Sequence, residues 1–252
     1  MTRTVDLNAD MGEGFGPWPM GDDAALLRIV SSANIACGFH AGDPDTMART
    51  MDLALAAGVA IGAHPGFADL QGFGRRRIAL SKAELTHMIQ YQLGAAMALA
   101  QARGARLRHL KLHGALSNMA CEDLAMATAC YRAALAVQPD LRLVVMPRTA
   151  LEQAAGDLGA AMSREVFADR SYNDDGTLTD RRADGAMIHD PDQAADRIVA
   201  MLRDGGITTR SGKRLAVPID TICVHGDGPQ ALAIAGRVAQ RLAEAGVTIA
   251  AP

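Results

Sequence analysis

Ionisable side chains stand at the ends of several short apolar runs in this sequence. The first run carries Asp6, Asn8 and Asp10 at alternate positions, and Glu13 follows just beyond it. Because alternate residues of a β-strand share one face, the first three side chains can point together into one interior. Carboxylates held together away from water serve as general acids and bases or as metal ligands.

Other apolar runs end in the same way. Their polar residues are His40 after the second run, His64 after the third, His109, Lys111 and His113 in the fourth, Asp169 and Arg170 after the sixth, and His225 and Asp227 after the seventh. A lone histidine is more often structural, and His109, deepest in its strand, fits a structural role as well as a functional one. Buried charges are costly unless they are paired or functional, so polar groups at six of seven strand ends indicate one site.

Two kinds of site fit these residues. Asp6, His40 and His64 form the Asp-His-His set that zinc or another divalent ion uses, although they lie on separate strands without HxH or HExxH spacing. In the second interpretation the carboxylates and histidines transfer protons, while Lys111 and Arg170 bind anions. The residues alone leave both interpretations open.

The elements that must position these side chains are short apolar runs alternating with longer amphipathic segments. The predicted strands are Val5–Ala9, Ala33–Phe39, Val59–Ala63, Leu107–Leu112, Leu141–Met146, Arg164–Ala168 and Thr221–Val224. The predicted helices are Asp22–Ser31, Pro44–Ala57, Lys82–Arg103, Glu122–Val137, Thr149–Leu158, Asp192–Arg203 and Pro229–Ala245. Seven strand–helix repeats predict an α/β fold with a parallel sheet covered by helices. The length of 252 residues favours one domain, residues 1–252, closed as a β/α barrel rather than an open doubly wound sheet.

Three segments exceed the minimal strand–helix repeat. They are Pro65–Leu80, Ser171–Asp190 and Ile207–Val217, the last predicted as a small hairpin that turns at Ser211-Gly212. Long ordered loops are often lids or binding loops, and the first two leave C-terminal strand ends, where barrel enzymes hold their chemistry. Residues 72–77 read G-F-G-R-R-R, without Walker spacing, so they fit an anion-binding loop or a basic surface turn equally.

Composition excludes several classes of function. A net charge of −3 with interspersed signs and an aromatic content of 4% argue against nucleic-acid binding. The N-terminal segment lacks the apolar run of a signal peptide, and no apolar stretch reaches the roughly 18 residues of a membrane span. Cys37, Cys121, Cys130 and Cys223 show no CxxC spacing, which predicts reduced packing residues in a cytoplasmic protein.

Along nearly its whole length the chain resembles the LamB/YcsF family of 5-oxoprolinase A subunits. The matching blocks are DLNADMGEGFGPW (6–18), MGDDAALL (20–27), SANIACGFHAGDP (32–44), GVAIGAHPGFADLQGFGRR (58–76), KLHGALSN (111–118), EVFADRSYNDDGTLTDRR (165–182), IHDP (188–191) and DTICVHGD (220–227). So many blocks in one order are far more specific than a single short motif.

The resemblance implies a (β/α)₇ TIM-like barrel similar to glycoside hydrolase/deacetylase-like enzymes. It also implies ATP-dependent hydrolysis of the lactam 5-oxo-L-proline to L-glutamate, with MgATP as cosubstrate and with B and C subunits as partners. Two positions depart from the family, which usually has proline and tyrosine where this chain has Leu112 and Ser117. A shorter side chain at Ser117 puts substrate affinity or preference in doubt. The usual DLNCD is DLNAD here, and Ala9 alternates away from the expected interior, so little consequence is expected.

Each strand-end residue then receives a hypothetical role. The candidate catalytic residues are Asp10, Glu13, Lys111 and His113. The candidate residues for binding substrate or an anion are Asn8, Asp169, Arg170, His225 and Asp227. Asp6, His40 and His64 are the candidate ligands of a divalent metal at the base of the pocket. The alternatives to the oxoprolinase are a stand-alone metal-dependent deacetylase or amidohydrolase, and a non-catalytic subunit that binds a lactam.

Overall fold

Seven parallel strands form a closed ring in this protein. The computed structural model describes residues 3–226, 228 and 230–252. Its strands are β1 (Thr4–Met11), β2 (Ser32–Ala36), β3 (Ala60–His64), β4 (His109–Leu110), β5 (Arg142–Val145), β6 (Met162–Phe167), β7 (Gly206–Thr208), β8 (Arg214–Ala216), β9 (Thr221–Val224) and β10 (Thr248–Ile249). The strands β1 to β6 and β9 follow one another in that order, and β1 pairs with both β2 and β9. The predicted β/α barrel is confirmed.

The helices connect these strands. They are α1 (Asp23–Leu26), α2 (Pro44–Ala56), α3 (Lys82–Gln101), α4 (Gly114–Glu122), α5 (Leu124–Val137), α6 (Ala150–Asp157), α7 (Pro191–Asp204) and α8 (Ala231–Glu244), with a short 3₁₀ helix at Leu70–Gly72. Each predicted helix is present, although α1 is much shorter than the predicted segment Asp22–Ser31. The helix α4 was not predicted, because its sequence, GALSNMACE, begins with a glycine directly after the polar end of the fourth strand.

Side-chain hydrogen bonds fix where three of the helices begin. Asp43 accepts from the backbone N–H of Thr46 at the start of α2, and Asp190 accepts from that of Gln193 at the start of α7. Ser81 forms a reciprocal capping box with Glu84 at the start of α3. These caps satisfy N–H groups that have no partner inside a helix.

The segment between α7 and β9 forms an antiparallel hairpin. Its strands β7 and β8 pair Gly206 with Ala216, which confirms the predicted hairpin. The strand β10 pairs with the start of β1, outside the ring of seven, and was not predicted. At two residues, Thr248 and Ile249, it is too short to give a periodic signal.

The faces of β1 show how the barrel separates its two cores. Leu7, Ala9 and Met11 belong to the apolar core that the helices cover. The residues between them, Asn8 and Asp10, are also buried but contact polar side chains of other strands across the interior. Alternation along a strand therefore places the apolar core outside the ring and a polar network inside it. Ala9 lies on the outer face, as predicted.

All four cysteines are free and buried. Cys223 differs from the predicted packing role, because its Sγ lies 3.0 Å from Lys111 Nζ in the polar interior. Among the described residues, no helix combines the length and apolar character that crossing a membrane requires.

Gly62 on β3 gives a test of how tightly the barrel interior is packed. A methyl group at this position would stand 2.2 Å from His109 Nε2. We expect Gly62→Ala to lower the free energy of unfolding by at least about 2 kcal/mol, because the His109 ring must move from its packed position. Urea denaturation measures this change.

Gly94 in α3 is the matched control, since a methyl group there meets no atom within 4 Å. Gly94→Ala should raise the free energy of unfolding by about 0.5–1 kcal/mol, because alanine favours a helix interior over glycine. A Gly62→Ala protein as stable as the wild type would contradict the described packing.

Candidate active site

The ammonium group of Lys111 lies at the centre of the polar interior. Its Nζ donates to Asp10 Oδ1 at 2.9 Å and to Cys223 Sγ at 3.0 Å, and it lies 2.9 Å from Glu165 Oε1. Burial disfavours the charge, but Asp10 and its neighbours outweigh burial and hold the pKa of Lys111 well above its usual range. These contacts favour the ammonium form of Lys111, which lies between the carboxyl groups of Asp10 and Glu165.

Those two carboxylates have opposite electrostatic environments. Burial works against the charge of Asp10, but His64 and Lys111 outweigh it and hold the pKa of Asp10 well below its usual range. Burial dominates at Glu165 and raises the pKa of that carboxyl, although Lys111 opposes the shift. Pairs of carboxylates whose pKa values are pushed apart are typical of sites that transfer protons.

Amide groups hold this ion group in place. Asn34 Nδ2 donates to Asn8 Oδ1 at 2.7 Å and to Asp10 Oδ1 at 2.9 Å. His109 Nε2 donates to Asn34 Oδ1 at 2.8 Å, and burial lowers the pKa of His109 to about 4. Asn8 Nδ2 in turn donates to Glu165 Oε1 at 3.1 Å. The geometry gives His109 a supporting position, and the side chain of Asn8 faces other protein groups.

Asp6 lies at the other end of the barrel from the predicted metal partners. Its carboxylate accepts hydrogen bonds of 2.6–2.7 Å from three hydroxyl groups, which belong to Ser31, Ser32 and Thr221. Four residues of extended strand, roughly 13 Å, separate Asp6 from Asp10. The predicted set of Asp6, His40 and His64 therefore does not come together. Alternate residues of a strand share a face, but they differ in depth.

A histidine cluster forms instead at the C-terminal ends of β2, β3 and β4. His64 Nε2 lies 3.0 Å from His113 Nδ1. The other ring nitrogen of each histidine donates to a backbone carbonyl at 2.8 Å, His64 Nδ1 to that of Lys111 and His113 Nε2 to that of Phe73. These bonds fix both rings and turn His64 Nε2 and His113 Nδ1 toward each other, with Asp10 Oδ2 3.3 Å from His64 Nε2.

Glu13 and His40 complete this cluster. Glu13 Oε1 lies 3.7 Å from His113 Nδ1 and 3.5 Å from His40 Nε2. The His40 ring stacks on the His113 ring with centroids 3.6 Å apart. Burial lowers the pKa of His113 to about 3 and holds the pKa of His40 well below its usual range, with the neighbouring histidines adding to both shifts. Burial thus keeps His40 and His113 neutral, and this buried His/Glu cluster can hold a metal ion.

The backbone comes very close to these rings at Gly74. This residue has a φ of +63°, which favours glycine, and a methyl group there would stand 2.7 Å from His40 Cβ and 2.8 Å from His113 Cδ2. Glycine at position 74 therefore allows the segment after β3 to pack directly over the rings of His40 and His113.

A second chain of polar contacts links β6 to β9. His225 Nδ1 donates to Asp169 Oδ2 at 2.7 Å, and its Nε2 accepts from Arg181 at 2.9 Å. Burial opposes ionisation of Asp169, but His225 outweighs it and lowers the pKa of Asp169. The predicted pair Asp169 and His225 therefore comes together. Asp227 lies outside the described residues.

A cavity of about 800 Å³ opens at the C-terminal strand ends. The predicted residues that line it are Asp10, Glu13, Lys111, His113, Arg170 and His225. The two long loops add Phe73 and a group of arginines, which are Arg75, Arg76, Arg77, Arg181 and Arg182. Leu112 and Ser117 also lie on its wall. The cavity therefore holds carboxyl groups, histidines and Lys111 at its base, and its mouth is rich in arginines, of which Arg77 and Arg182 pair with Glu122 and Asp180.

Arg170 is the most deeply buried of the arginines that line this cavity. It is 4% exposed, and its Nη2 donates to the carbonyl of Thr179 at 2.7 Å. In the part of the chain that the structure describes, its Nε has no hydrogen-bond partner. Burial lowers the pKa of Arg170 to about 10, with Arg181 adding to the shift. A buried guanidinium that lines a cavity is suited to bind an anion there.

Sequence reasoning missed two residues of this site. Glu165 lies inside β6, between Arg164 and Val166. The prediction rested on polar residues at strand ends and therefore did not include Glu165. Its position two residues before Phe167 on the inward face was the available signal. Arg181 belongs to the long loop after β6, where no periodicity exists to indicate which side chain turns inward.

Fold and cavity together define a (β/α)₇ barrel whose polar site lies at the C-terminal ends of its strands. Residues 5–252 match the model of the LamB/YcsF family, and the chain belongs to that family. The 5-oxoprolinase A subunit of Ruegeria pomeroyi is 59% identical over 251 residues, which are 100% of this chain and 99% of that protein. The 5-oxoprolinase A subunit of Nitrobacter hamburgensis is 50% identical over 98% of this chain and 97% of its own. The crystal structure of a lactam utilization protein from Thermus thermophilus superimposes with a TM-score of 0.93, at 44% identity, and covers 99% of this chain and 100% of that one.

The ion group around Lys111 predicts a specific pattern of stability. Lys111→Met should lower the free energy of unfolding by about 3–5 kcal/mol, because it leaves Asp10 and Glu165 buried without their cation. Lys111→Met combined with Glu165→Gln should recover part of the lost free energy of unfolding, because one of the two carboxyl groups left without a cation is then replaced by an amide that cannot ionise. Guanidinium denaturation of wild type, both single variants and the double variant measures the coupling. Purely additive changes would contradict the contact.

Proposed function

We propose that this chain is the A subunit of a 5-oxoprolinase, which couples the hydrolysis of 5-oxo-L-proline to L-glutamate to that of ATP, together with B and C subunits. The observation that carries the proposal is the cavity-facing guanidinium of Arg170 beside an acid–base group at the strand ends. The substrate is an anion with a ring amide, and such a cavity offers a partner for each part. The names of full-length relatives give independent support.

The ring amide explains why this hydrolysis is coupled to ATP. A five-membered lactam is a poor electrophile, because its nitrogen donates electron density into the carbonyl group. Transfer of the γ-phosphoryl group of ATP to the amide oxygen releases ADP and ties up the nitrogen electron pair in a C=N bond, so the ring carbon becomes a much better electrophile for water. The site must then neutralise more negative charge than the substrate carboxylate alone carries.

Arginines, rather than Lys111, supply that positive charge in this proposal. Lys111 already contacts Asp10 and Glu165, so its charge is compensated within the protein. Arg170 lines the cavity wall, and the arginines of the two long loops surround the mouth. Arg76, Arg77 and Arg182 each pair there with one exposed or loop carboxylate, whereas Lys111 is held between two buried ones. Arg170 is assigned to the substrate carboxylate, and the loop arginines are assigned to phosphoryl oxygens.

Asp10, Glu13 and His113 are the proposed acid–base groups. All three line the cavity, and His113 is neutral because its pKa is lowered to about 3. Deprotonation of the attacking water by one of these groups, and protonation of the ring nitrogen as its bond to carbon breaks, open the ring and leave γ-glutamyl phosphate. A second water then hydrolyses this acyl phosphate to L-glutamate and phosphate. The Asp169–His225–Arg181 chain is assigned to orienting the substrate from the opposite wall.

The ATP step is assigned to the assembled complex, which we place in the cytoplasm. The sequence carries no Walker-type loop, so nucleotide binding is assigned to the partner subunits or to a site shared with them. A second candidate function, a metal-dependent amidohydrolase that needs no ATP, is favoured by one observation, the buried His/Glu cluster.

Reconstitution distinguishes these two functions. The chain, its candidate B and C partners and MgATP should release L-glutamate from 5-oxo-L-proline only when all are combined. Enzymatic glutamate determination, with each component omitted in turn, measures this requirement. Glutamate from the isolated chain without ATP would favour the amidohydrolase and contradict the proposal.

Arg170 tests the assignment of the substrate carboxylate. In the reconstituted complex, Arg170→Met should raise KM for 5-oxo-L-proline about 10- to 100-fold, because one charge-assisted hydrogen bond is lost. Arg197→Met is the matched control, since this half-buried arginine donates to the carbonyl of Phe167 and does not line the cavity. Equal KM values for wild type and Arg170→Met would remove Arg170 from substrate binding.

A further inference from the structure

We infer that Glu13, His64 and His113 bind one divalent transition-metal ion of the zinc type, with His40 supporting them. Suitable ligand atoms of these four buried residues all lie within 4.8 Å of one another. The inference goes beyond the proposed function, because a bound ion makes Glu13 and His113 its ligands and leaves Asp10 as the acid–base group, and its test does not involve turnover.

The spacing of the ligand atoms fits a single ion. Tetrahedral ligands about 2.0–2.1 Å from zinc lie about 3.3–3.4 Å from one another. The observed separations are 3.0 Å between His64 Nε2 and His113 Nδ1, and 3.7 Å between His113 Nδ1 and Glu13 Oε1. They lie on either side of the ideal value, so an ion needs only small movements of the side chains.

The outer ring nitrogens of His64 and His113 are already in the arrangement of metal-bound histidines. Such histidines donate their second N–H to a carboxylate or a backbone carbonyl, which fixes the tautomer and turns the other nitrogen to the metal. His64 Nδ1 donates to the carbonyl of Lys111, and His113 Nε2 donates to that of Phe73. The two rings are nearly perpendicular, at 86°, so their free nitrogens converge from different directions.

A hydrogen-bond network explains the same contacts less well. If His64 Nε2 donates to His113 Nδ1, both nitrogens of His64 carry protons, and the ring is a buried cation whose charge is balanced by Asp10 Oδ2 at 3.3 Å. Both ring nitrogens of His40 still have no hydrogen-bond partner among the described residues, although its side chain is fully buried. Such unpaired buried groups are rare in proteins. A metal ion bound between the two rings accounts for their contact with each histidine in a neutral form.

Ring geometry separates the ligands from the supporting residue. The rings of His40 and His113 are parallel within 7°, with centroids 3.6 Å apart, so one ion cannot lie in the plane of both. His113 has the carbonyl bond that fixes its tautomer, and it is therefore the ligand. His40 Nε2, 3.5 Å from Glu13 Oε1, is positioned to orient that carboxylate. Two histidines and one glutamate form a recurrent zinc set that leaves a position open.

The neighbouring group of Asp10, Cys223 and His225 is not a second metal site in this proposal. Its atoms also lie close together, but Lys111 Nζ stands among them, 2.9 Å from Asp10 Oδ1 and 3.0 Å from Cys223 Sγ. An ammonium group already supplies the positive charge there.

Metal binding to the isolated chain tests the inference. After dialysis against a chelator, the wild-type protein should take up one Zn²⁺ per chain, measured by plasma mass spectrometry. It should also bind Co²⁺ with visible d–d absorption, which Zn²⁺ then displaces. Glu13→Gln, His64→Gln and His113→Gln should each abolish Co²⁺ absorption, and His40→Gln should weaken binding about 10- to 100-fold, as expected for a supporting residue.

His87→Gln is the control, because this histidine is exposed on α3. It should bind both ions as the wild type does, and thermal unfolding checks that every variant is folded. The wild-type titration needs no variant, so a variant that fails to fold leaves the test intact. Saturable 1:1 binding to the wild type supports the inference. No saturable binding to the folded wild type, or unchanged Co²⁺ spectra in folded His64→Gln and Glu13→Gln, would overturn it.

Discussion

The burial of one ammonium group inside the barrel is the constraint on which the rest of this structure depends. Moving Lys111 out of water costs several kcal/mol unless charges compensate it. The barrel supplies Asp10 from β1, Glu165 from β6 and the thiol of Cys223 from β9. These contacts tie the end of β4 to three other strands across the interior. A slip of any one strand by a single residue would turn its polar set outward into the apolar core, so the ion group specifies the register of the ring.

Excess negative charge around Lys111 organises the neighbouring site. Two carboxyl groups surround one cation, so they cannot both ionise without an excess of negative charge. Their environments differ: the pKa of Asp10 is lowered and that of Glu165 is raised, which favours ionisation of Asp10. Asp10 also reaches His64 Nε2 at 3.3 Å, so the ion group and the histidine cluster share a wall. The cavity then continues outward to arginines on the two long loops. The arginines around the mouth form an arrangement that attracts small anions to the cavity.

The fold could be predicted almost entirely from sequence, because parallel β/α repeats leave a periodic signal in each element. The same alternation identified Asp10 and Lys111 as inward-facing residues, and their contact is observed. Alternation shows which face of a strand a residue occupies but not its position along the barrel axis, and for that reason Asp6 was grouped with His40 and His64. Glu13 and His113 lie beyond the strand ends, and the geometry of the loops, not the period of the strands, brings them close to His40 and His64. Pairs such as Lys111 and Glu165 depend on register around a closed ring, which one sequence does not specify.

The pairing of β1 also determines when the site can form as the chain is synthesised. Asp6 on β1 contacts Thr221 on β9 across 215 residues of sequence, and the start of β1 pairs with the still later β10. Loop-closure entropy must be overcome before such distant contacts contribute, so closure of the ring is expected among the last folding events. Until β9 emerges from the ribosome, β1 and β6 are the two open edges of an unfinished sheet, with N–H and C=O groups available to other chains. The strand that carries Asp10 is then also the place where the nascent protein is most exposed to misassembly, and chaperones that cover strand edges would act there.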